Sequence, residues 1–143
     1  MTLAPSDMLC FALYSASQAM QQAYRPLLDR LGITYPQYLV LSALWTAEGP
    51  LTVGGIGQAV GLDSSTLTPL LKRLEAAGLV ERRRDGKDER QVRVHLSPAG
   101  RAMEAAAADI PRCVGERTGL APEAMAALRD EIAALAAELR RAR

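Results

Sequence analysis

Apolar positions recur along this chain at two different periods, and the places where the period changes mark its elements. From Ser6 to Arg30 they fall at Leu9, Leu13, Met20, Tyr24, Leu27 and Leu31, close to helical spacing. That pattern predicts a long amphipathic helix capped by Ser6 and stopped at Gly32. Thr34-Tyr35-Pro36 restarts a helix, with Pro36 in the favoured first turn and Tyr38, Leu41, Leu44 and Trp45 as its core stripe. Glu48-Gly49-Pro50 ends it. Thr52 caps a short helix through Val60, weakened by three internal glycines. After Gly61-Leu62-Asp63 a second helix runs to Ala77 with Leu67, Leu70, Leu71 and Leu74 on one face. Pro69 within it predicts a bend or an early-turn position, without a break.

Beyond Gly78 the period drops to two. Leu79–Arg84 and Gln91–Leu96 alternate, and Asp85–Arg90 between them reads as a polar turn, so a β-hairpin with a charged tip is predicted. Ser97-Pro98 then opens an alanine-rich helix to about Val114. Pro122 opens a last one striped by Met125, Leu128, Ile132, Leu135 and Leu139, the spacing of a packing seam. The class is mainly α with a small β-hairpin wing. Two short helices joined by a turn and followed by a hairpin define a winged helix-turn-helix over about residues 33–100. The helices of residues 5–31 and 98–141 flank it within a single domain, 1–143. Their stripes exceed what so small a centre covers, so they pair with a second copy or fold into an intramolecular helical layer.

Composition narrows the possibilities. The 143 residues are 49% hydrophobic and 23% charged, enough for a core, and the net charge of +1 names no partner. Its distribution does: residues 72–93 hold eight basic and five acidic side chains, while the rest of the chain is balanced or acidic. The N-terminal stretch lacks the basic start of a secretory signal, and no apolar run approaches the ~20 residues of a membrane span, so a soluble cytoplasmic protein is expected. Two cysteines, Cys10 and Cys113, cannot build a disulfide framework. One histidine without metal-ligand spacing argues against a metal, and the glycines of VGGIGQAVG match no nucleotide loop, so neither cofactor nor enzyme chemistry is expected.

Double-stranded DNA suits the charge pattern. Ser64, Ser65, Thr66 and Thr68 at the start of the second short helix are small polar groups for base edges and phosphates. Lys72 and Arg73 follow toward the backbone, and Arg82, Arg83, Arg84, Lys87 and Arg90 give the hairpin cationic reach into a minor groove. The blander reading makes the serines helix caps and the arginines a solvated face. Cys10, early in its helix, gains from the helix dipole as a thiolate, though a free cysteine is as often a small buried hydrophobe.

The run LTVGGIGQAVGLDSSTLTPLLKRLEAAGLVERRRDGKDERQVRVHLSPAGR resembles the winged-helix core of MarR-type transcription regulators, with the Asp-x-Arg wing tip at Asp88 and Arg90. Cys10 with Tyr35-Pro36-Gln37-Tyr38 is similar to the organic hydroperoxide resistance regulators, two-cysteine subgroup. Gln91 departs from the serine common after the wing arginine. The resemblance implies a homodimeric repressor of a pseudo-palindromic operator, induced by an organic hydroperoxide. It implies Cys10 as the peroxide-sensing thiol, approached by the hydroxyls of Tyr24 and Tyr35 from the partner subunit, with Tyr14 assisting. It further implies Arg90 in the minor groove oriented by Asp88, and Cys113 resolving Cys10 of the other chain to a disulfide. An apolar rim including Phe11 would favour alkyl hydroperoxides. A regulator binding a phenolic or other aromatic ligand non-covalently, and a small thiol peroxidase, are the alternatives.

Overall fold

The computed structural model describes residues 1–88 and 90–141; Glu89 within the expected hairpin turn, and Ala142 and Arg143 at the end of the expected single domain, lie outside the described residues. The described residues form seven α-helices and a three-stranded sheet. They fall into two compact units, Met1–Ala108 and Asp109–Arg143.

The first unit opens with a single 3-10 turn, Pro5–Asp7, before α1, Leu9–Asp29. Ser6 therefore caps nothing. Asp7 N donates to Ala4 O and Met8 N to Pro5 O, and the chain leaves this proline-started turn extended at Met8, which takes the N-cap position instead. Gly32, at φ +69°, lets the chain fold back so that Ile33 N reaches Leu28 O. Thr34 and Gln37 then form a reciprocal capping box at the head of α2, Tyr35–Thr46, with Pro36 in its first turn.

β1, Leu51–Thr52, precedes α3, Val53–Val60, which Thr52 caps by accepting Gly55 N at 3.0 Å. Gly57 is required here, because a Cβ would stand 2.7 Å from the Leu62 carbonyl. Asp63 caps α4, Ser64–Ala76, which runs unbroken through Pro69. Its leucines at 67, 70, 71 and 74 are all buried, together with Val40, Leu41 and Leu44 of α2 and Ile56 of α3. Fully burying each such side chain contributes roughly 1.5–3 kcal/mol. Trp45 is only half-buried, because its indole N–H must reach a partner: it donates to Gly100 O at 2.9 Å.

β2, Val80–Arg84, pairs antiparallel with β3, Val92–Leu96, in the register Val80↔Leu96 to Arg84↔Val92. β1 adds to the other edge of β3, giving the order β1-β3-β2. Two residues are too few for alternation to declare a strand, so β1 had no sequence signature. Ser97 caps α5, Pro98–Ala106, by accepting Gly100 N.

The helix expected from Pro98 to about Val114 is two helices. α5 ends at Ala106, and α6, Ile110–Arg117, begins after three intervening residues with Pro111 in its first turn. In a continuous helix Pro111 would lack its amide hydrogen and press on the carbonyl of Ala107. In the second unit Ile110 and Val114 are buried, Gly119 turns the chain at φ +70°, and α7, Pro122–Arg141, exposes Leu128, Ile132 and Leu139. No helix among the described residues is long and apolar enough to cross a membrane.

Gly100 is buried with its Cα against the Leu79 carbonyl, so an added methyl has no room, whereas nothing lies within 4 Å of a Cβ at Gly54 in α3. Gly100→Ala should lose about 1–3 kcal/mol in denaturant melts, and Gly54→Ala should gain up to about 1 kcal/mol. Equal stability of the two variants would contradict this packing.

Candidate nucleic-acid interface and thiol sites

Helical periodicity splits α4 into a leucine face and a polar one. Ser64, Ser65, Thr66, Thr68, Lys72 and Arg73 are all exposed. Asp63 organises the first turn: its carboxylate accepts Thr66 N at 2.9 Å and the Ser65 hydroxyl at 2.7 Å. The Ser65 hydroxyl bond, then the Thr66 amide, hold this carboxyl below the usual range. Thr68 donates its hydroxyl to Ser64 O at 2.8 Å. Ser65 and Thr68 thus spend their protons locally and present lone pairs outward. In this arrangement they suit donor groups on base edges better than phosphate oxygens, which only accept.

The wing is organised by acid–base pairs along its length. Asp85 N donates to Gln91 O at 2.8 Å, and the Asp85 carboxylate accepts Lys87 N at 2.9 Å and Arg93 Nε at 2.8 Å. The Lys87 amide, then the Arg93 guanidinium, hold Asp85 below the ordinary carboxylate range. Arg83 pairs with Glu81 at 2.9 Å. At the tip, Asp88 Oδ1 accepts Arg90 N at 3.1 Å and Nε at 3.3 Å, while the Arg90 side chain remains 92% exposed. Lys87 is exposed beside it.

Arg82 does not join the exposed cations of the wing. Its backbone N–H and its guanidinium are both bound by Glu75 of α4, at 2.9, 3.1 and 3.0 Å, and its side chain is 29% exposed. A direct DNA contact from Arg82 would first have to break those bonds. Glu75, Asp85 and Arg93 escaped the sequence reading, since partners seven or eight residues apart across a turn or hairpin carry no local spacing rule.

Cys10 is the second residue of α1 and is exposed, with Phe11 and Tyr14 exposed nearby on the same helix. The Tyr14 hydroxyl accepts Gln18 Nε2 at 3.0 Å. The Tyr24 and Tyr35 rings pack at a tilt of 54° with centroids 5.0 Å apart, and the Tyr38 ring lies 5.7 Å from Tyr24. Burial, with Tyr35 and Tyr38 adding for Tyr24, pushes both phenols up, so at neutral pH their hydroxyls keep their protons and can donate. Fourteen positions along α1 separate Cys10 from Tyr24, or ~21 Å at 1.5 Å per residue. Within one chain this tyrosine does not meet the sulfur.

Cys113 sits on α6, half-exposed, its sulfur 3.9 Å from both Asp109 Oδ2 and Arg112 Nη2. A groove of about 460 Å³ between α1 and α2 is lined by Gln18, Gln21, Gln22, Arg25 and Asp29 together with Tyr35. No group of three or more metal-ligating side chains occurs among the described residues.

This geometry has known counterparts. The family model described as transcriptional regulator SarA/Rot matches residues 22–105. The HTH-type transcriptional regulator TtmR of Methylorubrum extorquens is 50% identical over 131 residues, 92% of this chain and 67% of that protein. The organic hydroperoxide resistance transcriptional regulator of Bacillus subtilis is 50% identical over 105 residues, covering 73% of this chain and 71% of the relative. AbfR of Staphylococcus epidermidis superposes with a TM-score of 0.77 at 36% identity, over 94% of this chain and 93% of that one. AbfR has also been solved reduced and bound to DNA, and in a disulfide-formed state. The chain belongs to the SarA/Rot-type, MarR-like family of transcriptional regulators. It is accordingly a DNA-binding regulator with a winged-helix fold.

Because Asp85 is held below its usual range, its contribution to the wing is complete above the unfolded value near pH ~4 and is lost as pH falls through the lower folded value. Asp85→Asn should therefore destabilise the protein at pH 7 and flatten the acid limb of its stability curve. Parallel acid limbs in wild type and variant would contradict the assignment.

Proposed function

We propose that this protein is a cytoplasmic, homodimeric repressor that releases its operator when an organic hydroperoxide oxidises Cys10. The observation that carries this reading is Cys10 itself: an exposed thiol in the first turn of α1, in a chain half identical to a regulator of organic hydroperoxide resistance. Cys10 reacts as its thiolate. It attacks the terminal peroxide oxygen, the O–O bond breaks, and sulfenic acid and an alcohol result after protonation of the alkoxide. Cys113 of the partner chain then attacks the sulfenic sulfur, expelling the hydroxyl as water and forming an intersubunit disulfide.

Dimerisation gives Tyr24 and Tyr35 a purpose. Tyr24 lies too far along α1 to serve the Cys10 of its own chain; as the resemblance implies, Tyr24 and Tyr35 serve the partner's, with Tyr14 assisting from the sulfur's own helix. The exposed Leu9 and Met20 of α1, and Leu128, Ile132 and Leu139 of α7, supply apolar surface for pairing. In this arrangement residues 33–100 bind DNA, residues 5–31 and 98–141 hold the dimer, and a two-fold protein meets a pseudo-palindromic site. α4 lies in the major groove with Ser64, Ser65, Thr66 and Thr68 at the base edges and Lys72 and Arg73 toward the backbone. Lys87 and Arg90 reach the minor groove, Asp88 aiming the latter.

A thiol peroxidase would have no use for an arginine held at a hairpin tip, and the sensor reacts once and stops.

Reduced protein should bind its promoter duplex with an affinity that falls steeply with salt. Arg90→Ala should weaken binding by about 1–3 kcal/mol, and Cys10→Ser should bind normally yet stay bound under cumene hydroperoxide. Fluorescence anisotropy measures both. Peroxide-induced release from Cys10→Ser would remove Cys10 as the switch.

A further inference from the structure

The three-way bond between Glu75 and Arg82 spans the junction between recognition helix and wing. Glu75 lies in the last turn of α4, and Arg82 is the central residue of β2, opposite the fully buried Val94 of β3. Between them the chain reverses at Gly78, at φ +77°, whose carbonyl accepts the Ser97 hydroxyl. The turn is tied at its base by Gly78 N to Glu75 O and Leu79 N to Leu74 O. The Glu75 side chain reaches past it to the middle of the hairpin. One carboxylate oxygen accepts the β2 backbone amide, and the other accepts Nε and Nη2 of the guanidinium in a fork. The two side chains are 29% and 35% exposed, so water screens the contact only in part. An isolated surface ion pair contributes little, but a carboxylate that also satisfies a strand amide fixes a direction as well as a distance.

We propose that Glu75 and Arg82 form a brace that sets the wing at a fixed angle to α4, making both positioning residues for DNA recognition although neither touches DNA. The proposal rests on the DNA-binding reading above. α4 and the wing tip must enter neighbouring grooves of one duplex together, and a hairpin free to swing would pay its ordering cost on every binding event. The brace pays it during folding. It also explains why one arginine of a basic wing is withheld from the exposed cluster.

Simple electrostatics predicts the opposite sign. Removing a carboxylate beside a polyanion site should tighten binding and steepen its salt dependence. Glu75→Gln and Arg82→Lys therefore discriminate: the first removes a negative charge, and the second keeps the positive charge but loses the fork. Anisotropy titration of the full chain on its promoter duplex should show both variants binding about tenfold more weakly than wild type, the equivalent of one or two side chains left to order on binding. Hydrogen–deuterium exchange without DNA should show faster exchange at the β2 and β3 amides, with α2 unchanged. Affinity equal to or tighter than wild type in either variant, or unchanged wing exchange, would overturn the brace. If the wild-type chain binds no duplex, the DNA-binding reading fails on its own, and the exchange measurement alone then decides whether the brace exists.

Discussion

One helix divides the labour of the whole first unit, because 3.6 residues per turn sort the side chains of α4 onto two faces. Leu67, Leu70, Leu71 and Leu74 are buried on one of them and fix the helix against α2, α3 and the base of the sheet. The burial of these leucines is what leaves Ser65, Thr68 and Lys72 aligned in solvent, four or three positions apart. A recognition surface needs no strain or special chemistry under this constraint. It needs an apolar face that cannot turn outward without losing several kcal/mol of burial.

The same economy governs charge. No buried polar or charged residue occurs in the core of the described residues. At the wing and helix ends carboxylates accept backbone amides as well as guanidinium groups. Glu75, Asp85 and Asp88 each use one side chain to hold a turn or strand and to aim or withhold a cation, and Asp63 holds the first turn of α4. Arg90 stays more open to an approaching phosphate than Arg82, Arg83 or Arg93. Geometry rather than the number of positive charges then decides which arginines are available.

Much of the fold was legible because its helix starts are capped locally. Thr34, Thr52, Asp63 and Ser97 each accept an amide three residues on, a relation visible in four letters of sequence. Ser6 looked the same and failed, since Pro5 drew it into a separate turn. The break before α6 was also written in the sequence, at Pro111, but alanine-rich surroundings masked it. β1 is too short for a period, and the Glu75–Arg82 and Asp85–Arg93 pairs exist only once the hairpin has folded. For the thiol site, sequence placed Cys10 early in α1 and Tyr35 at the head of α2. The packing of Tyr24 against Tyr35 and the distance that keeps Tyr24 from its own chain's sulfur needed the fold.

The account turns on what becomes of the two sulfurs when DNA is released. Non-reducing peptide mapping by mass spectrometry, on protein released from its promoter duplex by one equivalent of cumene hydroperoxide, tests this most directly. The mechanism predicts a Cys10 peptide joined to a Cys113 peptide, rising in proportion to the released DNA and returning to thiols with dithiothreitol. Released protein with both cysteines still as free thiols, or with Cys10 joined only to Cys10, would contradict it.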